Sequence, residues 1–511
     1  MAPVHREVEY KFEAADGVEV PALGGVEDVA SVEGPVAAEL EATYFDTSGF
    51  ALAAAGITLR RRSGGDDAGW HLKIPAGKNG SRDELRVPLG RAVKTVPRPL
   101  RLAVQLYVRG QALLPIARIR TERRVYRLCD SEAEALVEVC DDRVSAQPLA
   151  PADSGLLSAW REWEVEIVGG EGRHLESAAG VLERAGGRPA AERSKLARAI
   201  GDRLPQPVDI ADVPMRSDSP AADVVRARLR EQVAELKYRD PLVRHDAPDS
   251  VHKMRVAMRR LRSALATFRP LFDREQTESL RAELKWIAGV LGEARDAEVT
   301  HERLTGLLAE QPVELVIGPV RRRLDRELGG SYRAAHERSV EAMQSDRYYT
   351  LVDKLDALVA DPPFTPKASH AAESVLPARV KKDCKRLRRR VAAADQATDA
   401  ATRNLRLHEV RKAAKRARYA AEALEPVYGR PAHRFVKAVK RVQSTLGDHH
   451  DTVVAQAVLR QLGIQAHLDG ENAFTYGLLQ GNEQANAAAL EAKYHDTWPK
   501  ASRKKLRRWL T

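Results

Sequence analysis

Acidic and basic side chains recur at two regular spacings in this 511-residue chain, and each spacing suits a different anion chemistry. Glu7, Glu9 and Lys11 fall on every second residue, as do Arg60 and Arg62, and later Glu162, Glu164 and Glu166. Further on, His252, Arg255, Arg259 and Arg262 stand at i, i+3, i+7 and i+10, and roughly 156 residues later His408, Arg411, Lys415 and Arg418 repeat that pattern. A period of two puts each of the first sets on one face of a strand. The second spacing puts four side chains within roughly 80° of arc on one helix face. Three glutamates on one sheet face repel unless a cation sits among them. Four cations on one helix face repel until a polyanion lies along them.

The elements that would position these groups follow from the apolar residues between them. Val8, Tyr10 and Phe12 alternate with the first acids, Leu59 with Arg60, Trp70, Leu72 and Ile74 with His71 and Lys73, and Trp163, Val165 and Ile167 with the last three glutamates. An ordinary sheet with a solvated charged face would give the same alternation. The signs are segregated, however: acids cluster on the first strand and at 162–166, bases at 60–62, 73 and 118–124. A closed barrel lined by acids on one wall and bases on the other would hold a metal–phosphate complex. From alternation alone both readings stand.

The basic stripes belong to a duplication. Leu291-Gly292-Glu293-Ala-Arg-Asp296 is echoed by Leu446-Gly447-Asp448-His-His-Asp451, in the same order behind each stripe. Each repeat reads as an opening helix, a His-bearing helix and a helix ending at Leu-Gly-acid. Residues 1–219 hold 29 Lys and Arg against 34 Asp and Glu, and the remainder 54 against 38, so the net charge of +11 comes from the C-terminal part. Lys285 and Lys440 extend the basic faces. His449-His450-Asp451 resembles a metal trio, but the first repeat has Ala294-Arg295-Asp296, which favours phosphate contact or a polar helix start. Nearby cations lower the pKa of His252 and His408 and point to hydrogen bonding rather than catalysis.

Residues 1–203 read as strands with a few helices, 204–219 as a proline-bearing linker, and 220–511 as helical, in repeats of about 220–360 and 367–511. Three scattered cysteines give neither a disulfide framework nor a zinc cluster. There is no Walker A or HExxH motif. With no apolar signal core or membrane-length apolar run, a cytoplasmic location is expected.

The N-terminal motifs, taken in order, resemble the CYTH, or triphosphate tunnel metalloenzyme, family. They are Glu7-x-Glu9-x-Lys11, Tyr44-Phe-Asp-Thr47, Leu59-Arg60-Arg-Arg62, Leu72-Lys73-Ile-Pro75 with Arg82-x-Glu84, Glu138-x-x-x-Asp142, Glu162-x-Glu164-x-Glu166 and Ser194-Lys195-x-x-Arg198. The paired His helices resemble the CHAD domain, a helical partner of CYTH. Together the resemblances imply an α+β multidomain protein: an eight-stranded antiparallel tunnel barrel with flanking helices, then an all-α domain of two pseudo-symmetric bundles. Glu7, Glu9, Glu138, Asp142, Glu162, Glu164 and Glu166 would form an acidic wall for Mg²⁺ or Mn²⁺. Glu7, Glu9 and Lys11 would be catalytic. Arg60, Arg62, Lys73, Arg82, Arg120, Arg123 and Lys195 would grip phosphate oxygens. The family's later arginine falls on Arg123, preceded by Arg120, whereas strict alternation puts Arg118, Arg120 and Arg124 inside and Arg123 outside; a bulge would reconcile the two.

The implied activity is metal-dependent hydrolysis of inorganic triphosphate or short polyphosphate by direct water attack. The helical stripes, with Lys285 and Lys440, would bind inorganic polyphosphate, with polyphosphate granules as a place of association. Nucleic acid is the competing ligand, disfavoured by the scarcity of aromatics near the stripes. The alternatives are a non-catalytic polyphosphate-binding or granule-targeting protein and, ranked last, a CYTH-type adenylate cyclase.

Overall fold

The computed structural model describes residues 4–77, 81–90, 95–149, 157–191, 194–204 and 214–510. The expected linker at 204–219 lies outside the described residues over 205–213. The chain divides into two compact units, residues 1–210 with 240–247, and residues 211–239 with 248–511.

The first unit is one antiparallel sheet flanked by short helices. Its strands are β1 (His5–Glu7), β2 (Glu9–Glu13), β3 (Ser31–Asp46), β4 (Thr58–Ser63), β5 (Gly69–Pro75), β6 (Arg82–Pro88), β7 (Leu114–Cys129), β8 (Ala135–Pro148), β9 (Ser158–Ile167) and β10 (Arg188–Pro189). They pair in the order β1-β6-β5-β4-β3-β7-β8-β9-β2-β10. The sheet therefore counts ten strands in an open ladder, not the eight of a closed one. The N-terminal strand is interrupted at Val8. Its first part pairs with β6 through Glu7 and Arg82, its second with β9 through Glu9 and Glu166. Chain continuity across Val8 links the two ends of the ladder, and β10 is a two-residue addition beyond β2.

Alternation is obeyed with the charges facing inward. The outward apolar set Phe12, Leu128, Val137, Val139, Trp163 and Val165 is buried against Leu175, Ala178 and Leu182 of helix α1 (Gly172–Arg184). A second cluster joins Ile116, Ala117, Val144 and Ala146 to Leu196, Ala199 and Ile200 of α2 (Lys195–Ile200). Ser194 starts α2 as its N-cap, accepting a hydrogen bond from the Ala197 amide at 3.1 Å. That cap fixes Lys195 at the first helical position, beside the sheet's inner face. In the Tyr44–Thr47 turn, Asp46 accepts from the amides of Thr47, Leu52 and Ala53 at 2.7–2.9 Å, so its carboxylate anchors the turn.

The second unit is helical. Its main helices are α3 (Ala221–Arg244, of which residues 240–244 count with the first unit), α4 (Ser250–Thr267), α5 (Arg274–Ala309), α6 (Val320–Met343), α7 (Asp346–Ala360), α8 (Ala372–Asp395), α9 (Ala400–Glu422), α10 (Arg430–Leu468) and α11 (Phe474–Ala501). The His-bearing α4 and α9 pack on each other, α4 also packs on α5, and α9 on α10. The helices expected to end at Leu-Gly-acid do not end there: α5 and α10 run straight through Gly292 and Gly447. Glycine weakens a helix by about 1 kcal/mol but does not break it, and both glycines have a packing role described below. Among the described residues, no helix is long and apolar enough to cross a membrane.

Candidate functional site

The inner face of the sheet encloses a cavity of about 710 Å³. Glu7, Glu9, Lys11, Arg60, Arg62, Lys73, Arg82, Arg123, Glu138, Glu164, Glu166 and Lys195 all line it. Asp142 and Glu162 are buried just behind, bonded to residues that do.

The seven expected metal ligands divide into separate groups. Carboxylate oxygens of Asp142, Glu162 and Glu164 lie within 4.8 Å of one another. The Lys195 ammonium sits among them, 2.9, 2.7 and 2.6 Å from Asp142 Oδ2, Glu162 Oε1 and Glu164 Oε1. Arg123 bridges Asp142 at 2.6 Å and Glu164 at 2.5 Å, and Lys11 also pairs with Glu164. Burial opposes ionisation of Glu164, but Lys11, Lys195 and Arg123 outweigh it and hold the carboxyl well below the usual range. This half of the acidic wall is already neutralised by the protein's own cations.

Glu7, Glu9 and Glu166 form a second group. Glu9 is directly opposite Glu166 in the β2–β9 ladder. Burial pushes the Glu166 carboxyl up to about 7, with Glu7 adding repulsion. Burial likewise raises Glu7, against the pull of Lys73 at 2.5 Å. Glu9 goes the other way: Lys11 and Lys73 overcome its burial and hold it at about 2. Among the described residues only Asp142, Glu162 and Glu164 bring their oxygens within 4.8 Å of one another; Glu7, buried, and Glu9 and Glu166, partly buried, are a second set of carboxylates on the cavity, oxygen donors of the kind a hard divalent cation takes. Glu138 stands apart, 2.8 Å from Arg127.

The basic wall holds one correction. Arg120 points away from the cavity side of the sheet and binds Glu41 at 2.9 Å, with 69 % of its side chain exposed. Along β7 the inward residues are Ile119, Thr121, Arg123, Val125 and Arg127, while Arg118, Arg120, Glu122 and Arg124 are exposed. The β7–β8 register is continuous through this stretch, so no bulge is involved. The outer surface there is solvated and tolerates charge, which is why charge alone gave the wrong phase. Arg62 pairs with Asp67, while burial and the repulsion of Arg60 and Arg123 lower its pKa, a repulsion that a bound anion would relieve.

Three lining or buried groups were missing from the expected set. The Tyr44 hydroxyl accepts from Arg60 at 3.4 Å. Fully buried Glu84 pairs with His71 Nδ1 at 2.8 Å and with Arg86. Burial lowers His71 to about 4, so the ring is neutral. The inward parity shared by His71 and Lys73 was a usable signal for this pair; Tyr44 sat in a motif read only as a turn.

In the helical unit the two stripes face one another across α4 and α9. Burial, then Arg411 and Arg259, lowers Lys415 to about 7, so cations of both helices act on one lysine. The duplicated glycines explain part of this geometry. Arg255 lies across Gly292, donating to its carbonyl at 3.4 Å and to Asp296 at 3.3 Å. A Cβ at Gly292 would meet Arg255 Nη2 at 3.1 Å, and one at Gly447 would meet Arg411 Nε at 3.4 Å. Each glycine thus seats the arginine of its own repeat. Lys285 and Lys440 are exposed seven positions before their glycines, on the same helix face.

His408 stacks on His450 with ring centroids 4.1 Å apart, and His449 is buried, so the three neighbouring residues 449–451 do not converge as a metal trio. Burial lowers His252 and His408 to about 4. Arg259 stands within the facing stripes, and Arg262 is half-buried, repelled by Arg281. Arg418 departs from the stripe: it is buried, 3.3 Å from Glu422 and over the Tyr419 ring.

Comparison with known proteins agrees with this architecture. The CYTH domain family matches residues 5–199 and the CHAD domain family residues 227–460. An uncharacterized protein of Mycobacterium tuberculosis, found in strains CDC 1551 / Oshkosh and ATCC 25618 / H37Rv, is 39% identical over 490 residues, covering 94% of this chain and 93% of that protein. Among solved structures, PptA from Streptomyces chartreusis is 26% identical with a TM-score of 0.46, over 55% of this chain and 100% of that one. The CHAD domain from the plant Ricinus communis is 25% identical with a TM-score of 0.44, over 57% of this chain and 96% of that one. The chain belongs to the proteins that join a CYTH domain to a CHAD domain.

Proposed function

We propose that the barrel binds a metal complex of inorganic triphosphate or short polyphosphate and hydrolyses its terminal phosphoanhydride, while the helical unit binds longer inorganic polyphosphate. The observation that carries this reading is the cavity lining. Lys11, Arg60, Arg62, Lys73, Arg82, Arg123 and Lys195 share one space with Glu7, Glu9, Glu164 and Glu166. A solvated sheet face would have no need of such an enclosed set.

Glu7, Glu9 and Glu166 would hold Mg²⁺ or Mn²⁺, which supplies charge neutralisation at phosphate oxygens and orients the substrate. The remaining chemistry belongs to the protein's bases. Arg60, Arg62, Arg82 and Arg123 bind non-bridging oxygens with forked donors and hold the chain in line. A water attacks the terminal phosphorus; the new P–O bond forms as the bridging P–O bond breaks, and the water proton passes to solvent. Lys11 and Lys73 take up negative charge that grows on the departing phosphate. No nucleophilic serine or cysteine is required, and all three cysteines are buried.

A second reading is binding without turnover, and one observation favours it. Lys195 and Arg123 already neutralise Asp142, Glu162 and Glu164, which leaves fewer acids for metal. Orthophosphate release separates the two. Purified full-length protein is given tripolyphosphate, long-chain polyphosphate or ATP with Mg²⁺ or Mn²⁺. Orthophosphate from tripolyphosphate supports hydrolysis, binding without release supports the second reading, and cyclic AMP from ATP would overturn both.

A further inference from the structure

A second cavity, of about 1260 Å³, lies in the helical unit between α10, the end of α11 and the C-terminal turn Lys504–Leu510. Arg434, Lys437, Arg441, Lys500, Arg503 and Lys505 line it, and no acidic side chain does. All six are exposed, and none has a carboxylate partner among the described residues. Other arginines of this unit are paired, Arg228 with Glu231 and Glu422 and Arg347 with Glu283.

The internal duplication provides a control for this face. Arg434, Lys437 and Arg441 of α10 correspond to Ser279, Ala282 and Trp286 of α5, counting back from Gly447 and Gly292. In the first repeat these three positions are neutral: Ser279 and Ala282 are exposed, and Trp286 is partly covered by Arg347 of α7, 3.9 Å from its ring centroid. In the second repeat the same face carries three cations at i, i+3 and i+7, and the C-terminal turn brings more instead of neutralising them. Bundle packing therefore does not require these charges. The turn also lies beyond residue 460, where the CHAD match ends.

These six neighbouring cations without a carboxylate partner would suit any long anion, but the aromatic group at this site narrows the choice. Trp509 lines the cavity, yet its ring is taken up by Tyr428 at 5.1 Å and Phe435 at 6.3 Å, and its Nε1 donates to the Leu506 carbonyl. The indole is not presented as a stacking platform for a base, which disfavours single-stranded nucleic acid. On α10, exposed Lys440 adjoins Arg441 and shares the face of Gly447, where Arg411 is seated.

We propose that this cavity is a second seat for inorganic polyphosphate, reached only by chains long enough to run from the α4–α9 stripes past Lys440 onto the far side of α10. The inference rests on the polyphosphate reading of the stripes given above. Linking two seats by one chain raises affinity without new contacts at either.

The test uses full-length protein in EDTA and measures affinity for long-chain polyphosphate, a short oligophosphate and single-stranded DNA. The Arg434→Ala/Lys437→Ala/Arg441→Ala variant is expected to lose about tenfold in long-chain affinity, with a shallower salt dependence and unchanged short-chain affinity. Unchanged long-chain affinity, an equal loss for the short chain, or a loss confined to DNA would overturn it. An Arg259→Ala/Lys415→Ala variant separates the failures. If it binds long chains like wild type, the stripe reading falls; if it alone loses binding, only the second seat falls.

Discussion

The Lys195 ammonium lies 2.6 Å from Glu164 Oε1 and, through the same nitrogen, bridges two further carboxylates, so an internal cation occupies the tightest acidic cluster of the barrel. Removing it leaves three buried acids short of one neutralising charge. The Lys195→Met variant is expected to lose roughly 3–5 kcal/mol of stability, the cost of stranding buried charge. Divalent metal should then stabilise the variant more than wild type. Thermal unfolding with and without Mn²⁺ checks this; equal metal-induced shifts in both proteins would count against the neutralising role of Lys195.

Arg120 and Arg123 are three residues apart yet face opposite sides of β7. Arg123→Ala is expected to lower tripolyphosphate turnover at least 100-fold, while Arg120→Ala stays within about twofold of wild type. Steady-state kinetics on the two variants decides it. A comparable loss in Arg120→Ala would place the wrong arginine in the cavity.

Burial and the repulsion of Arg411 and Arg259 hold Lys415 at about 7. Between that pH and the ordinary lysine range the unfolded chain carries a proton that the native one lacks, so the free protein should become more stable as pH rises through this window. Bound polyanion restores the charged form. Polyphosphate binding at pH 8.5 is therefore expected to take up a proton, seen as a dependence of binding heat on buffer ionisation enthalpy. Lys415→Met should abolish that uptake; its persistence would assign the proton elsewhere.

Gly292 and Gly447 allow Arg255 and Arg411 to lie against the neighbouring helix. Alanine at either position removes a helix-weakening glycine; at Gly292 its Cβ presses on the end of flexible Arg255, and at Gly447 it comes into contact with Arg411. Each substitution is expected to raise stability by about 0.5–1 kcal/mol and to weaken polyphosphate binding severalfold. Melting curves and binding isotherms together test it, since a merely structural glycine would not separate the two effects.

Much of this site was legible in the sequence, for identifiable reasons. On β2 and β9 outward residues pack under a helix, so apolar side chains such as Phe12, Trp163 and Val165 mark the phase and leave the acids inward. On β7 the outer face around Arg120 is solvated, and inward Ile119 and Val125 are apolar, so the same rule gave the opposite phase. The division of the acids into a Lys195-held group and an open group was not legible, because it depends on where α2 begins. The duplicated glycines were visible as a motif, but their role required knowing which side chain crosses them. Likewise, the ladder's break at Val8 carries no residue signature: valine continues the alternation without interruption.

The central claim is that Glu7 and Glu9 serve a metal-dependent hydrolysis inside the barrel. The most direct measurement is orthophosphate release from tripolyphosphate, with Mg²⁺ or Mn²⁺, by wild type and by Glu7→Gln and Glu9→Gln. The account predicts metal-dependent release by wild type and a loss of at least 100-fold in both folded variants. Turnover equal to wild type in either folded variant would contradict it.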